Sequence, residues 1–128
     1  MKLLLDTHIW LWLVADPARI GRRTLEELRS KENELWLSPI STWEILTLNA
    51  KGKIRLNKDP RDWLAAATLG TREAILTHEI ALEARELKLH QDPSDRMLAA
   101  TAKVLELVLV TADQELLGLG EIRTLANR

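Results

Sequence analysis

Apolar residues fall along this chain in short runs separated by stretches of helical spacing, and two of the runs close on an acid. Leu3-Leu4-Leu5-Asp6 and Leu107-Val108-Leu109-Val110-Thr111-Ala112-Asp113 each end in a lone aspartate. Short Leu/Val runs bounded by polar residues read as strands buried on both faces, as in a parallel sheet covered by helices. The pattern predicts strands near 2–5, 34–37, 74–76 and 107–110, with a short edge strand at 122–124. Helices are expected over 7–14, 21–31, 40–50, 60–69, 78–87 and 92–104. Asp16-Pro17 marks a turn, Gly52 closes the third helix, and Asp59-Pro60 supplies an N-cap and a first-turn proline. Strands alternating with helices through short links define an α/β domain with a parallel sheet.

The chain has 128 residues, enough for one domain over 1–128 with a real core, and no linker or repeat divides it. Hydrophobic residues make up 46% and charged residues 29%, which excludes a disordered tail and a membrane protein. The stretch Leu3 to Val14 resembles a signal-peptide core, but Asp6 and His8 interrupt it and it is too short to span a bilayer. A cytoplasmic protein is expected. With no cysteine, disulfides, zinc–thiolate sites and thiol catalysis are excluded. The net charge of −1 makes no global case for nucleic acid, although acids gathered in one place could leave basic surface elsewhere. The aromatic residues are all tryptophan. Trp10 and Trp43 lie within apolar patterns that suit a core or an interface, and Trp10 and Trp12 cannot both face inward on one narrow stripe.

Ligands of open parallel sheets bind outside the carboxyl ends of the strands, so Asp6 and Asp113 are expected to meet at one edge. Either could instead simply cap the helix after its strand. Glu44 shares a helix face with Ile40 and Leu48, where a carboxylate is expensive to bury without a partner. It could also sit at the stripe's edge and reach water. Asp95 opens the small-residue face of Leu98, Ala99 and Ala102, while Asp92, Pro93 and Asp95 fit a capping arrangement with Asp92 as N-cap. Like charges about 4 Å apart repel by roughly 4 kcal/mol at an effective dielectric of 20. Such a group persists by protonating some members or by binding cations. Oxygen ligands favour Mg²⁺ or Mn²⁺ over zinc, and such ions suit phosphate chemistry. No Gly-rich phosphate loop or nucleophile elbow is present. His8 and His78 are isolated, and His90 is expected to orient the Asp-Pro turn rather than to act in catalysis.

Three segments carry a resemblance. They are Leu3 to Trp12, then Ser38-Pro39-Ile40-Ser41-Thr42-Trp43-Glu44-Ile45, then His90 to Ala102 followed by Leu109 to Asp113. In order and spacing they resemble PIN-domain ribonucleases, specifically the toxin-like branch of VapBC-type toxin–antitoxin operons. The resemblance implies a three-layer α/β/α sandwich with a mostly parallel sheet and Mg²⁺-dependent cleavage of RNA. It also implies a homodimer and a small cognate antitoxin. The family's acidic quartet falls on Asp6, Glu44, Asp95 and Asp113, as catalytic and metal-binding residues, with Thr7 and Thr111 at its hydroxyl positions. The resemblance leaves open whether Glu115 or Asp92 joins the metal site. Ser94 and Leu116 depart from the aromatic residues often found at those places, which bears on substrate preference and loop packing. Arg96, Lys51 and Lys53 are candidates for substrate phosphate contacts. The rival reading is a non-enzymatic protein-binding module, receiver-like or derived from an inactive toxin. Receiver domains place adjacent carboxylates after the first strand, whereas Thr7 and His8 follow Asp6 here.

Overall fold

A computed structural model describes residues 1–128. The strands are β1 (Lys2–Leu5), β2 (Glu34–Leu37), β3 (Arg72–Glu73), β4 (Val108–Thr111) and β5 (Arg123–Ala126). The helices are α1 (Thr7–Ala15), α2 (Arg22–Arg29), α3 (Pro39–Ala50), α4 (Pro60–Ala67), α5 (His78–Glu86), α6 (Pro93–Val104) and α7 (Gln114–Leu117). The five strands lie in the order β3-β2-β1-β4-β5, and every neighbouring pair is parallel. β1 is central, pairing Leu3 with Leu35 on one side and with Val108 on the other.

Alternation along β1 explains why it is apolar throughout. Leu4 points to one face and packs with Ile80 and Ala84 of α5, with Leu98, Ala99 and Ala102 of α6, and with Leu109. Leu3 and Leu5 point to the other, where they join Ile9 and Trp10 of α1, Leu28 of α2, Ile45 of α3 and Trp63 of α4. Two cores, one on each face of the sheet, make the three-layer sandwich, since successive side chains of a strand point to opposite faces. Ala99, Ala100 and Ala102 of α6 are buried in the first of these cores. Trp10 meets Trp63 at a ring separation of 5.5 Å and donates its indole N–H to the Ala67 carbonyl at 3.1 Å.

Several expectations are corrected at the periphery. β3 covers Arg72–Glu73 rather than 74–76; the Ala74 amide adds one bond to the Leu37 carbonyl, and the chain then leaves the sheet. β5 is longer than the expected 122–124, because it pairs in register with all of β4. Trp43 is 61% exposed, so of its two readings, core and interface, the core one fails. Trp12 is half-buried, and the Arg19 guanidinium lies 4.7 Å from its ring centroid. No helix is long and apolar enough to cross a membrane.

Candidate metal centre

The chain runs outward from β1 to β2 and β3, then returns to the other side of β1 with β4. That reversal opens a crevice at the carboxyl ends of β1 and β4, where such folds bind ligands. Asp6 follows the last residue of β1 and Asp113 stands two beyond the end of β4. Both cap a helix as well as edging the crevice. Asp6 Oδ1 accepts the Thr7 amide at 2.7 Å. Asp113 Oδ1 accepts the amides of Glu115 and Leu116 at 2.8 and 3.3 Å. The capping and site readings therefore describe the same side chains.

Thr111 joins the two acids. Its hydroxyl donates to Asp6 Oδ2 at 2.6 Å and accepts the Asp113 amide at 3.0 Å. Thr7 is also buried, but its hydroxyl donates to Ser41 Oγ at 2.9 Å and so ties α1 to α3. Asp95 enters from the first turn of α6, where Asp92 is the N-cap and accepts the Asp95 amide at 3.1 Å. Asp92 is exposed and occupied by that capping bond.

Electrostatics link the three aspartates. Burial pushes the Asp6 carboxyl above its ordinary value, against the lowering effect of the Thr111 and Thr7 bonds, and Asp113 adds to the rise. Asp95 is pushed up to about 7, first by desolvation and then by the charges of Asp92, Asp6 and Asp113. The charge of His8 opposes the first rise and that of His90 the second, and no lysine or arginine forms an ion pair with any of the three aspartates. Ligand atoms of His90, Asp95 and Asp113 lie within 4.8 Å of one another. Carboxylates crowded without a cationic side chain to neutralise them form a donor set that fits a hard divalent cation.

The remaining candidates divide. Glu44 is half-buried on α3, one turn beyond Ser41, whose hydroxyl accepts from Thr7 beside Asp6. The fold brings together Asp6, Asp95 and Asp113. Arg96 is no surface phosphate contact. It is 7% exposed, and its guanidinium donates to the carbonyls of Leu89, His90, Arg85 and Leu87 at 2.7 to 3.2 Å. Lys51 and Lys53 are exposed just past the C-terminus of α3. At 1.5 Å per residue they stand about 18 Å from the helix end that borders the crevice, and so do not join the acids.

His90 orients the Asp-Pro turn as expected, accepting the Asp92 amide at Nδ1, and in addition reaches the acids. Its Nε2 lies 3.0 Å from Asp95 Oδ2 and 3.2 Å from Glu115 Oε2. The spacing of His90 to Asp95 could not reveal this, because the intervening turn has no helical or strand period.

The PIN domain profile matches residues 3–121. The chain belongs to the PIN-domain family. No curated protein matches the sequence significantly. Among solved structures, this PIN domain is similar to a chain of VapBC2 from Rickettsia felis, crystallised with a promoter DNA fragment. The TM-score is 0.74 at 17% identity, covering 98% of both chains. VapBC-1 from nontypeable Haemophilus influenzae gives 0.70 at 19% identity, again over 98% of each. VapC20 of Mycobacterium tuberculosis, a sarcin–ricin loop cleaving toxin, gives 0.63 at 19% identity, covering 94% of this chain and 98% of that one.

Proposed function

We propose that this PIN domain is a metal-dependent endoribonuclease that hydrolyses RNA phosphodiester bonds and acts as the toxin of a toxin–antitoxin pair. The observation that carries the proposal is the convergence of Asp6, Asp95 and Asp113, from β1, α6 and the end of β4, with no lysine or arginine ion-paired to them. Asp6, Asp95 and Asp113 would hold Mg²⁺ or Mn²⁺, with Glu44 reaching in from α3. When bound, the cation supplies Lewis-acid stabilisation of a phosphoryl group and lowers the pKa of a water. Thr111 holds Asp6 and the Asp113 backbone in register, so the carboxylates are aimed before any ligand arrives. Raised carboxyl pKa values let the empty site keep protons that cation binding would displace.

The similarity to VapBC complexes supports a small antitoxin as partner, and that to VapC20 supports RNA as substrate. A homodimer and a cytoplasmic setting belong to the same reading. The receiver-like alternative finds no favouring observation, since Thr7 is turned to Ser41 and His8 is exposed where neighbouring carboxylates would be needed.

The test is RNA cleavage by the purified protein with Mg²⁺ or Mn²⁺, and with excess EDTA. Asp6→Asn and Asp95→Asn should fold normally and lose about 100-fold or more in rate, since the cation supplies several kcal/mol of transition-state stabilisation. Undiminished cleavage in EDTA, or by either folded variant, would refute the proposal.

A further inference from the structure

His90 stands in the connection between α5 and α6 yet reaches both the first turn of α6 and α7, through Asp95 and Glu115. By spacing alone it could be a third ligand atom beside Asp95 and Asp113. Its other ring nitrogen argues otherwise. Nδ1 accepts the Asp92 amide at 3.2 Å, which leaves the hydrogen of the neutral ring on Nε2. A nitrogen carrying hydrogen has no lone pair for a cation. It can, however, face two carboxylate oxygens, as Nε2 does.

We infer that His90 is a positioning residue: its Nε2–H, set between Asp95 and Glu115, holds the Asp95 carboxylate at the crevice with Oδ1 turned to a divalent cation. Asp95 needs such a partner because its other charged neighbours, Asp92, Asp6 and Asp113, all repel it. The His90 loop is itself held. The Arg96 guanidinium binds four consecutive-region carbonyls from Arg85 to His90, so the ring is presented from an anchored backbone. Outer partners of this kind orient ligating carboxylates and typically change metal affinity by about 10–100-fold. The inference rests on the metal-centre reading above and adds to it a residue outside the acidic set.

Calorimetric titration with Mn²⁺ tests it without reference to activity. The parent protein, Asp95→Asn, His90→Ala and His90→Gln would be compared at one pH, with circular dichroism to verify folding. The expected result is Mn²⁺ binding by the parent, its loss in Asp95→Asn, and weakening of about 10-fold or more in His90→Ala. His90→Gln, whose amide N–H reaches a similar position, should recover much of the affinity. His90→Ala binding as tightly as the parent would overturn the inference while leaving the metal centre in place. His90→Gln as weak as a folded His90→Ala would overturn the donor role in favour of direct ligation. A parent that bound no Mn²⁺ would overturn the metal centre and this inference together.

Discussion

A carboxylate can end a helix and hold an ion at once, because it has two oxygens and several lone pairs. Asp6 and Asp113 each commit Oδ1 to an amide at a helix start, which fixes the side chain's rotamer and leaves accepting capacity toward the crevice. Crowding has a thermodynamic consequence. Asp6 and Asp95 bind a proton more tightly folded than unfolded, so between the ordinary 3.8 and about 7 the unfolded chain is the first to release it. Folding stability of the metal-free protein should therefore fall as pH rises through that window. A fluorimetric melting series from pH 4.5 to 8 checks the sign, and Mg²⁺ added at pH 8 should raise the melting temperature. For the same reason Asp95→Asn should melt at or above the parent at pH 8 even though its cleavage is lost. A fall in its melting temperature would show that the carboxylate stabilises the fold instead.

At the level of elements, the α5–α6 connection depends on one buried cation. Arg96 has no carboxylate partner; its charge rests on carbonyls at the C-terminal end of α5 and in the loop beyond it. That is the negative end of the helix dipole, which favours a cation. Lysine cannot reproduce the planar fork, so the carbonyls would be left partly unpaired in both Arg96→Lys and Arg96→Ala. We expect each to cost about 2–4 kcal/mol in urea unfolding, since hydrogen bonds to charged groups are worth about 1.5–3 kcal/mol and orphaned partners add desolvation. A cost below about 1 kcal/mol would mean the loop does not need the clamp.

Across the whole molecule the C-terminal segment packs back against the connection between α1 and α2. β5 pairs with β4, and beyond it Asn127 accepts the Gly21 amide at 2.8 Å and donates to the Arg19 carbonyl at 3.1 Å. A Cβ at Gly21 would overlap the Arg128 backbone, so the terminus must move if any side chain is placed there. Gly21→Ala should destabilise the protein by about 1–3 kcal/mol, the usual cost of overpacking, and should speed proteolysis at the C-terminus. Limited proteolysis with mass detection reads this directly; unchanged cleavage would show that the terminus relocates freely.

Local chemistry was enough to place most of the architecture. The three leucines of β1 announced a strand buried on both faces, and the Asp59-Pro60 and Asp92-Pro93 pairs marked the starts of α4 and α6, because capping and proline geometry act within a few residues. Arg96 was misjudged from the sequence, the core reading of Trp43 failed, and the reach of His90 to Asp95 and Glu115 was not foreseen. Whether Trp43 faces solvent depends on what packs beside α3, and whether an arginine meets phosphate or its own backbone depends on where a loop turns. The meeting of Asp6 and Asp113 was foreseeable from strand ends in a parallel sheet, and that of Asp95 from a helix start facing the same edge, but the set of His90, Asp95 and Glu115 was not. Periodicity tells which face of an element is apolar; contacts between side chains from an irregular turn and two helices exist only once the sheet has brought those helices together.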